Sequence, residues 1–137
     1  MADLSCYMTI INNTPHDLSF ANKSSSHWYW EIPPPSIIRS FTSTEQFQAK
    51  DPSGAAAGSE GSMEYTITLQ ETKKTYTFKM KFCCSWSSDN NYCYFVNPDP
   101  ALFSVYFRAK SDGSFRINDC PESGHPLHLE FYIEIFN

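Results

Sequence analysis

Residues 76–82 read Tyr76-Thr77-Phe78-Lys79-Met80-Lys81-Phe82, and this strict alternation decides the fold class. Successive side chains of an extended chain point to opposite faces. Tyr76, Phe78, Met80 and Phe82 therefore share one side, and Thr77, Lys79 and Lys81 the other. An apolar–polar period of two is what a strand needs when one face is buried and the other is wet. The pattern recurs in both directions along the chain. Before it, Met63, Tyr65, Ile67 and Leu69 alternate with Glu64, Thr66 and Thr68. After it, Leu127, Leu129, Phe131, Ile133 and Ile135 alternate with His128, Glu130, Tyr132 and Glu134, which predicts a long C-terminal strand. Residues 6–11, 18–20, 37–41, 92–96 and 102–109 complete the set, all rich in β-branched and aromatic side chains.

Turn chemistry separates these runs. Asn12-Asn13-Thr14-Pro15, Asp51-Pro52-Ser53-Gly54, Asn97-Pro98-Asp99-Pro100 and Pro121-Glu122-Ser123-Gly124 are loop signals, and Asp112-Gly113 predicts a tight hairpin turn. Residues 43–50 open on a helix-capping candidate, Ser43 or Thr44, and read equally well as a short helix or a strand. The small-residue stretch 52–61 reads as a loop. Many short strands without helical partners predict one all-β domain over residues 1–137. Its architecture is expected to be an antiparallel β-sandwich with at most one or two short helices.

Composition narrows the function. Aromatic residues are 16% of the 137 and charged residues only 18%, so there is enough apolar surface to build a core. The net charge of −5 and scattered Lys and Arg argue against a nucleic-acid partner, which needs a clustered positive face. Lys73, Lys74, Lys79 and Lys81 form the densest basic group, and exposed Lys commonly solubilises a strand. The start Met1-Ala2-Asp3-Leu4-Ser5 lacks the basic and apolar regions of a secretory signal. That predicts a protein that is cytoplasmic or released without a signal peptide, and peripheral at membranes when bound. Cys6, Cys83, Cys84, Cys93 and Cys120 make an odd count, compatible with reduced thiols or with one or two disulfides. No paired Cys-x-x-Cys unit is present and the four His are dispersed, so neither a metal nor a cofactor is expected.

Catalysis is not expected either. A site needs a nucleophile, a base and an orienting group, and no familiar local signature of one is present. His128 and Glu130 lie on the solvent side of their strand. What stands out instead is large aromatic residues beside or outside clean strands. Trp28-Tyr29-Trp30 precedes Glu31, Ile32 and the prolines Pro33, Pro34 and Pro35. Trp86 lies in the polar run Ser85–Asn91, followed by Tyr92 and Tyr94. Amphipathic rings suit a membrane interface, and equally a face that stacks on sugars. Candidate ligand-binding residues are therefore Trp28, Tyr29, Trp30, Trp86, Asp89, Asn91, Tyr92 and Tyr94. The competing structural reading has Trp28 or Trp30 filling the core and Trp86 plugging one end of the sandwich.

The order of these motifs resembles the aegerolysins, small acidic β-sandwich proteins, and more distantly the actinoporin-like cytolysins. An N-terminal strand from Tyr7, a Trp-containing segment and an Ile/Pro stretch are followed by a small-residue loop running into the strand at Met63. The segment Phe82-Cys83-Cys84-Ser85-Trp86-Ser87-Ser88 is similar to the family's Trp-Asp-Cys-Pro-Trp-Gly-Ser run. Phe82, Cys83 and Ser85 depart from that run. The three prolines and the 120–126 loop have no counterpart in it. The resemblance spans Tyr7 to about Phe95. It implies membrane sphingolipid headgroups as partners, and for some members a second, pore-forming protein, hence a toxin-like or cytolysin role. A carbohydrate-binding lectin using the same rings is the alternative. A protein-interaction or protease-inhibitor module acting through loop 52–61 or 120–126 is a third.

Overall fold

The computed structural model describes residues 3–24, 28–51, 58–85 and 90–136, and among these it contains twelve strands and no helix. In chain order the strands are β1 (Cys6–Asn13), β2 (Leu18–Lys23), β3 (Tyr29–Ile32), β4 (Ile37–Ile38), β5 (Thr42–Ser43), β6 (Phe47–Lys50), β7 (Ser59–Thr68), β8 (Thr75–Cys84), β9 (Tyr92–Val96), β10 (Phe103–Lys110), β11 (Arg116–Ile117) and β12 (Leu127–Ile135). They form two sheets. One runs β11-β10-β12-β1-β6-β3 with β5 also paired to β1; the other runs β4-β2-β7-β8-β9. The result is the expected all-β sandwich, with one departure from a purely antiparallel plan. The first and last long strands, β1 and β12, pair in parallel from Cys6 opposite Leu127 to Asn13 opposite Glu134.

The alternating stretch at 76–82 is the middle of β8. Paired over its full length with β7, it sends Phe78, Met80 and Phe82 into the core beside Tyr65, Met63 and Gly61. From the other sheet Met8, Ile10, Phe47, Phe103, Leu129, Phe131 and Ile133 meet them, all nearly inaccessible. Each such side chain contributes on the order of 1.5–3 kcal/mol by leaving water. Edge-on ring contacts then fix the rotamers, such as Phe78 on Phe103 at 4.9 Å and Phe95 on Phe131 at 5.3 Å. Residues 43–50 resolve in favour of a strand. Phe47 and Ala49 face the core while Gln48 and Lys50 do not, a period of two that a helix could not satisfy.

Asp112-Gly113 does reverse the chain between β10 and β11, with Gly113 at φ +69°. The connection is wider than a two-residue turn, since the last paired residues are Ala109 and Arg116. Phe115 folds back so that Arg108 and Lys110 stand 4.7 Å and 4.8 Å from its ring centroid. At the far end of the sandwich, buried Asn12 and Thr14 hold the turn at 39–42. The Asn12 amide donates to the carbonyls of His16 (2.7 Å) and Arg39 (3.0 Å), and Thr14 Oγ1 donates to Asn12 Oδ1 (2.7 Å).

Cys6, Cys84, Cys93 and Cys120 are thiols. Burial pushes Cys84 up to about 12 and Cys120 up to about 11, so both are protonated at neutral pH.

Candidate ligand site on the outer face of β8 and β9

The two ends of the sandwich differ in what they present. At the end where β7 begins and β8 finishes, the outer face carries a patch built from three strands. Antiparallel register places Lys81 opposite Tyr94, and sets Glu60, Cys83 and Tyr92 in one row. Tyr92 and Tyr94, two residues apart on β9, project to the same side with ring centroids 5.6 Å apart. Tyr94 is 59% exposed, so its ring is offered to solvent rather than to the core. The Tyr92 hydroxyl donates to the Glu60 carboxylate across the row. Cys83, between them, is buried although it faces outward. Burial, reinforced by that carboxylate, holds the Tyr92 phenol far above its ordinary range, so it remains a neutral donor.

Beside the patch lies an open cleft of about 560 Å³, lined by Lys81, Asn90, Tyr92, Tyr94, Cys120 and Glu122 among others. Its far wall is held by Asn91. The Asn91 backbone N–H donates to the Glu122 carbonyl (2.9 Å), and its side-chain amide donates to the Gly124 carbonyl (2.9 Å). Its Oδ1 accepts from the Ser85 N–H (2.7 Å). With all these atoms engaged within the protein, Asn91 ties Ser85 to the 120–124 loop. Lys81, Asn90, Tyr94 and Glu122 are the exposed groups that line the cleft.

Trp28 and Trp30 lie elsewhere. Trp28 is 6% exposed and packs edge-on against Trp30 (4.4 Å) and Phe82 (5.2 Å), on the inner face of the sheet whose outer face carries Tyr94. Its indole N–H donates to Ser24 Oγ (3.1 Å), and Lys23 stands 4.7 Å from its ring. Trp30 is half-buried against Phe47. Tyr29, across from Lys50, emerges at the rim of the other sheet and is 37% exposed. Trp28 and the pair Tyr92 and Tyr94 thus lie on opposite faces of one sheet, and Tyr29 belongs to the other sheet. Trp86 and Asp89 lie outside the described residues.

Glu60 was not among the candidates read from the sequence. It sits at the edge of a small-residue stretch that carries no strand signature. Counting register outward from the turn at 69–74 would have paired it with Cys83 and placed it beside Tyr92. Lys81 was legible, as an outward lysine, but not as the neighbour of Tyr94.

A second open cleft, about 350 Å³, lies at the far end, lined by His16, Asp17, Ser19, Thr66 and Gln70 among others. It is lined by no Phe, Tyr or Trp among the described residues, and Asp17 is already occupied. It accepts from the Ser40 N–H and from Arg39, both at 3.0 Å, which together lower its pKa.

No family model matches this chain, and no curated protein sequence does. Solved structures do match. The structure of the lipid-binding protein Nakanori superposes with a TM-score of 0.67 over 97% of this chain and 71% of that one, at 11% identity. The RahU protein, solved with a TRIS molecule bound, superposes with a TM-score of 0.61 over 97% of this chain and 96% of that one, also at 11% identity. At such identity the likeness is one of fold, and the chain shares the β-sandwich fold of these two proteins.

Proposed function

We propose that the protein binds membrane lipid headgroups of the sphingolipid type, and that the patch formed by Glu60, Lys81, Tyr92 and Tyr94 is where it does so. The single observation behind this reading is the exposed Tyr94 ring placed in register with the Lys81 ammonium. A headgroup phosphate is complementary to that ammonium. A choline or ethanolamine nitrogen is complementary to the faces of two tyrosines backed by the Glu60 carboxylate, the arrangement that favours cations over rings. Tyrosine also suits the depth at which headgroups sit, with its apolar body inward and its hydroxyl in water. The fold shared with a protein described as lipid-binding, and the order of motifs in the sequence, support the same reading. The activity proposed is binding, not catalysis.

Liposome co-sedimentation across sphingolipid, sterol and phospholipid mixtures tests it, with Tyr94→Ala and Lys81→Gln alongside the parent chain. Truncating one inserted ring removes on the order of 1–3 kcal/mol, so Tyr94→Ala is expected to weaken binding about tenfold or more. The parent's failure to bind any mixture would end the proposal, and inhibition by free sugars would favour a lectin instead. A cytolytic role, alone or with an added pore-forming protein, is read separately as release of dye from the same vesicles.

A further inference from the structure

Unpaired strand edges template association, and proteins usually blunt them by shortness, charge or proline. Among the described residues the sheet paths end on four strands. Two of them, β4 and β11, are two residues long. A third, β3, carries Glu31 and runs directly into Pro33, Pro34 and Pro35. The fourth, β9, has none of these protections. It is Tyr92-Cys93-Tyr94-Phe95-Val96, five residues without a charge or a proline, with Tyr94 59% and Val96 49% exposed. The loop at 120–124 takes the Asn91 N–H, and its Cys120 and Glu122 line the cleft beside Tyr92 and Tyr94. None of the described backbone hydrogen bonds from other segments reaches 92–96 on the side away from β8.

We infer that β9 is a dimerisation edge, pairing antiparallel with β9 of a second copy of this chain. The strand is complementary to itself about Tyr94. Centred there, a two-fold axis sets Tyr94 opposite its twin, Tyr92 opposite Val96, and Cys93 opposite Phe95. Aromatic–aromatic and aromatic–β-branched pairs are the favoured cross-strand neighbours, and no like charges meet on the paired strands. A closed two-fold contact of this kind uses one patch twice. Because antiparallel twins are related by an axis perpendicular to the sheet, both outer faces look the same way. The two Lys81–Tyr94 patches then lie side by side on one continuous surface, so that, resting on the headgroup reading above, the dimer is bivalent toward a membrane.

Sedimentation velocity of the full chain across the micromolar range is the test, with Val96→Lys and Val96→Pro. Val96 faces outward and is not part of the core, so Val96→Lys should leave the fold intact, as circular dichroism would verify. The parent is expected to be a dimer and Val96→Lys a monomer. Hydrogen exchange at β9 amides should be slow in the first and fast in the second. Binding to vesicles with sparse headgroup should fall about tenfold or more in the monomer through lost avidity, while binding of soluble phosphocholine is unchanged. A parent that sediments as a monomer throughout overturns the inference. So does a dimer that survives both substitutions. If the parent dimerises yet neither form binds vesicles or phosphocholine, the headgroup reading fails and the dimer stands.

Discussion

Trp28 occupies the space that a side chain at Gly61 would fill. A Cβ built on Gly61 would lie 2.5 Å from Trp28 Cε2 and 2.6 Å from Cδ1, closer than real contacts allow. The indole is in turn packed edge-on against Phe82 and Trp30 and hydrogen-bonded to Ser24, so moving it aside breaks these contacts. Gly61→Ala is therefore expected to destabilise the fold by about 1–3 kcal/mol, the usual cost of overpacking. A denaturant midpoint equal to that of the parent would show that the Trp28 ring moves aside freely.

Phe41 offers the opposite case. It holds φ +54° at the tip of the 39–42 turn, with 65% of its surface exposed. Its N–H donates to the Thr14 carbonyl (3.0 Å), which keeps the turn in place whatever the side chain. A non-glycine residue in the left-handed region costs roughly 1–2 kcal/mol, and glycine returns about 0.5–1 kcal/mol of that through its freedom in the unfolded chain. Phe41→Gly is expected to raise stability by about 0.5–1 kcal/mol, read as a higher melting temperature. A lower melting temperature would mean that the ring contributes packing its exposure does not suggest.

The pH dependence of stability is predicted to pass through His128. Its ring stacks on Tyr7 at 5.2 Å and faces Lys110 in register. Burial, then Lys110, hold the imidazole below its ordinary 6.5, against a weaker opposing pull from Asp3. As pH falls, the unfolded chain therefore takes up this proton before the folded one does. The contribution is fully present above about pH 6.5 and is lost as pH falls from there to the folded pKa. Denaturant midpoints between about pH 7.5 and about pH 5 should decline in the parent and be flatter in His128→Gln. Equal slopes in the two proteins would assign the decline to another group.

Much of the sandwich is legible in the chain because a buried face imposes period two directly on sequence. The runs at 76–82 and 127–135 announce β8 and β12, and their apolar residues are those found inside. Residues 43–50 were ambiguous because a four-residue strand holds too few periods to exclude a helical turn. The parallel pairing of β1 with β12 leaves no local trace. Alternation has no direction, and the partners are separated by nearly the whole chain. Asp112-Gly113 marks the chain reversal in the sequence, but the connection is wider than the tight turn that dipeptide predicts. Phe115 takes a site on Arg108 and Lys110 that keeps the strands from pairing up to the turn.

The outer-face patch divides along the same line. From the alternation of β9 alone, Tyr92 and Tyr94 share a face, and from that of β8, Lys81 points away from Phe82. Whether those outward directions coincide, and which residue of β7 completes the row, depend on register between strands far apart in sequence. Only long-range packing sets that register. Packing also sent Trp28 beneath Gly61, on the inner side of the sheet, while Tyr94 was left on the outer side. Sequence by itself determined which side chains must leave water within each strand. The tertiary structure alone decided which of the remaining ones became neighbours, because a face belongs to a sheet and not to a strand.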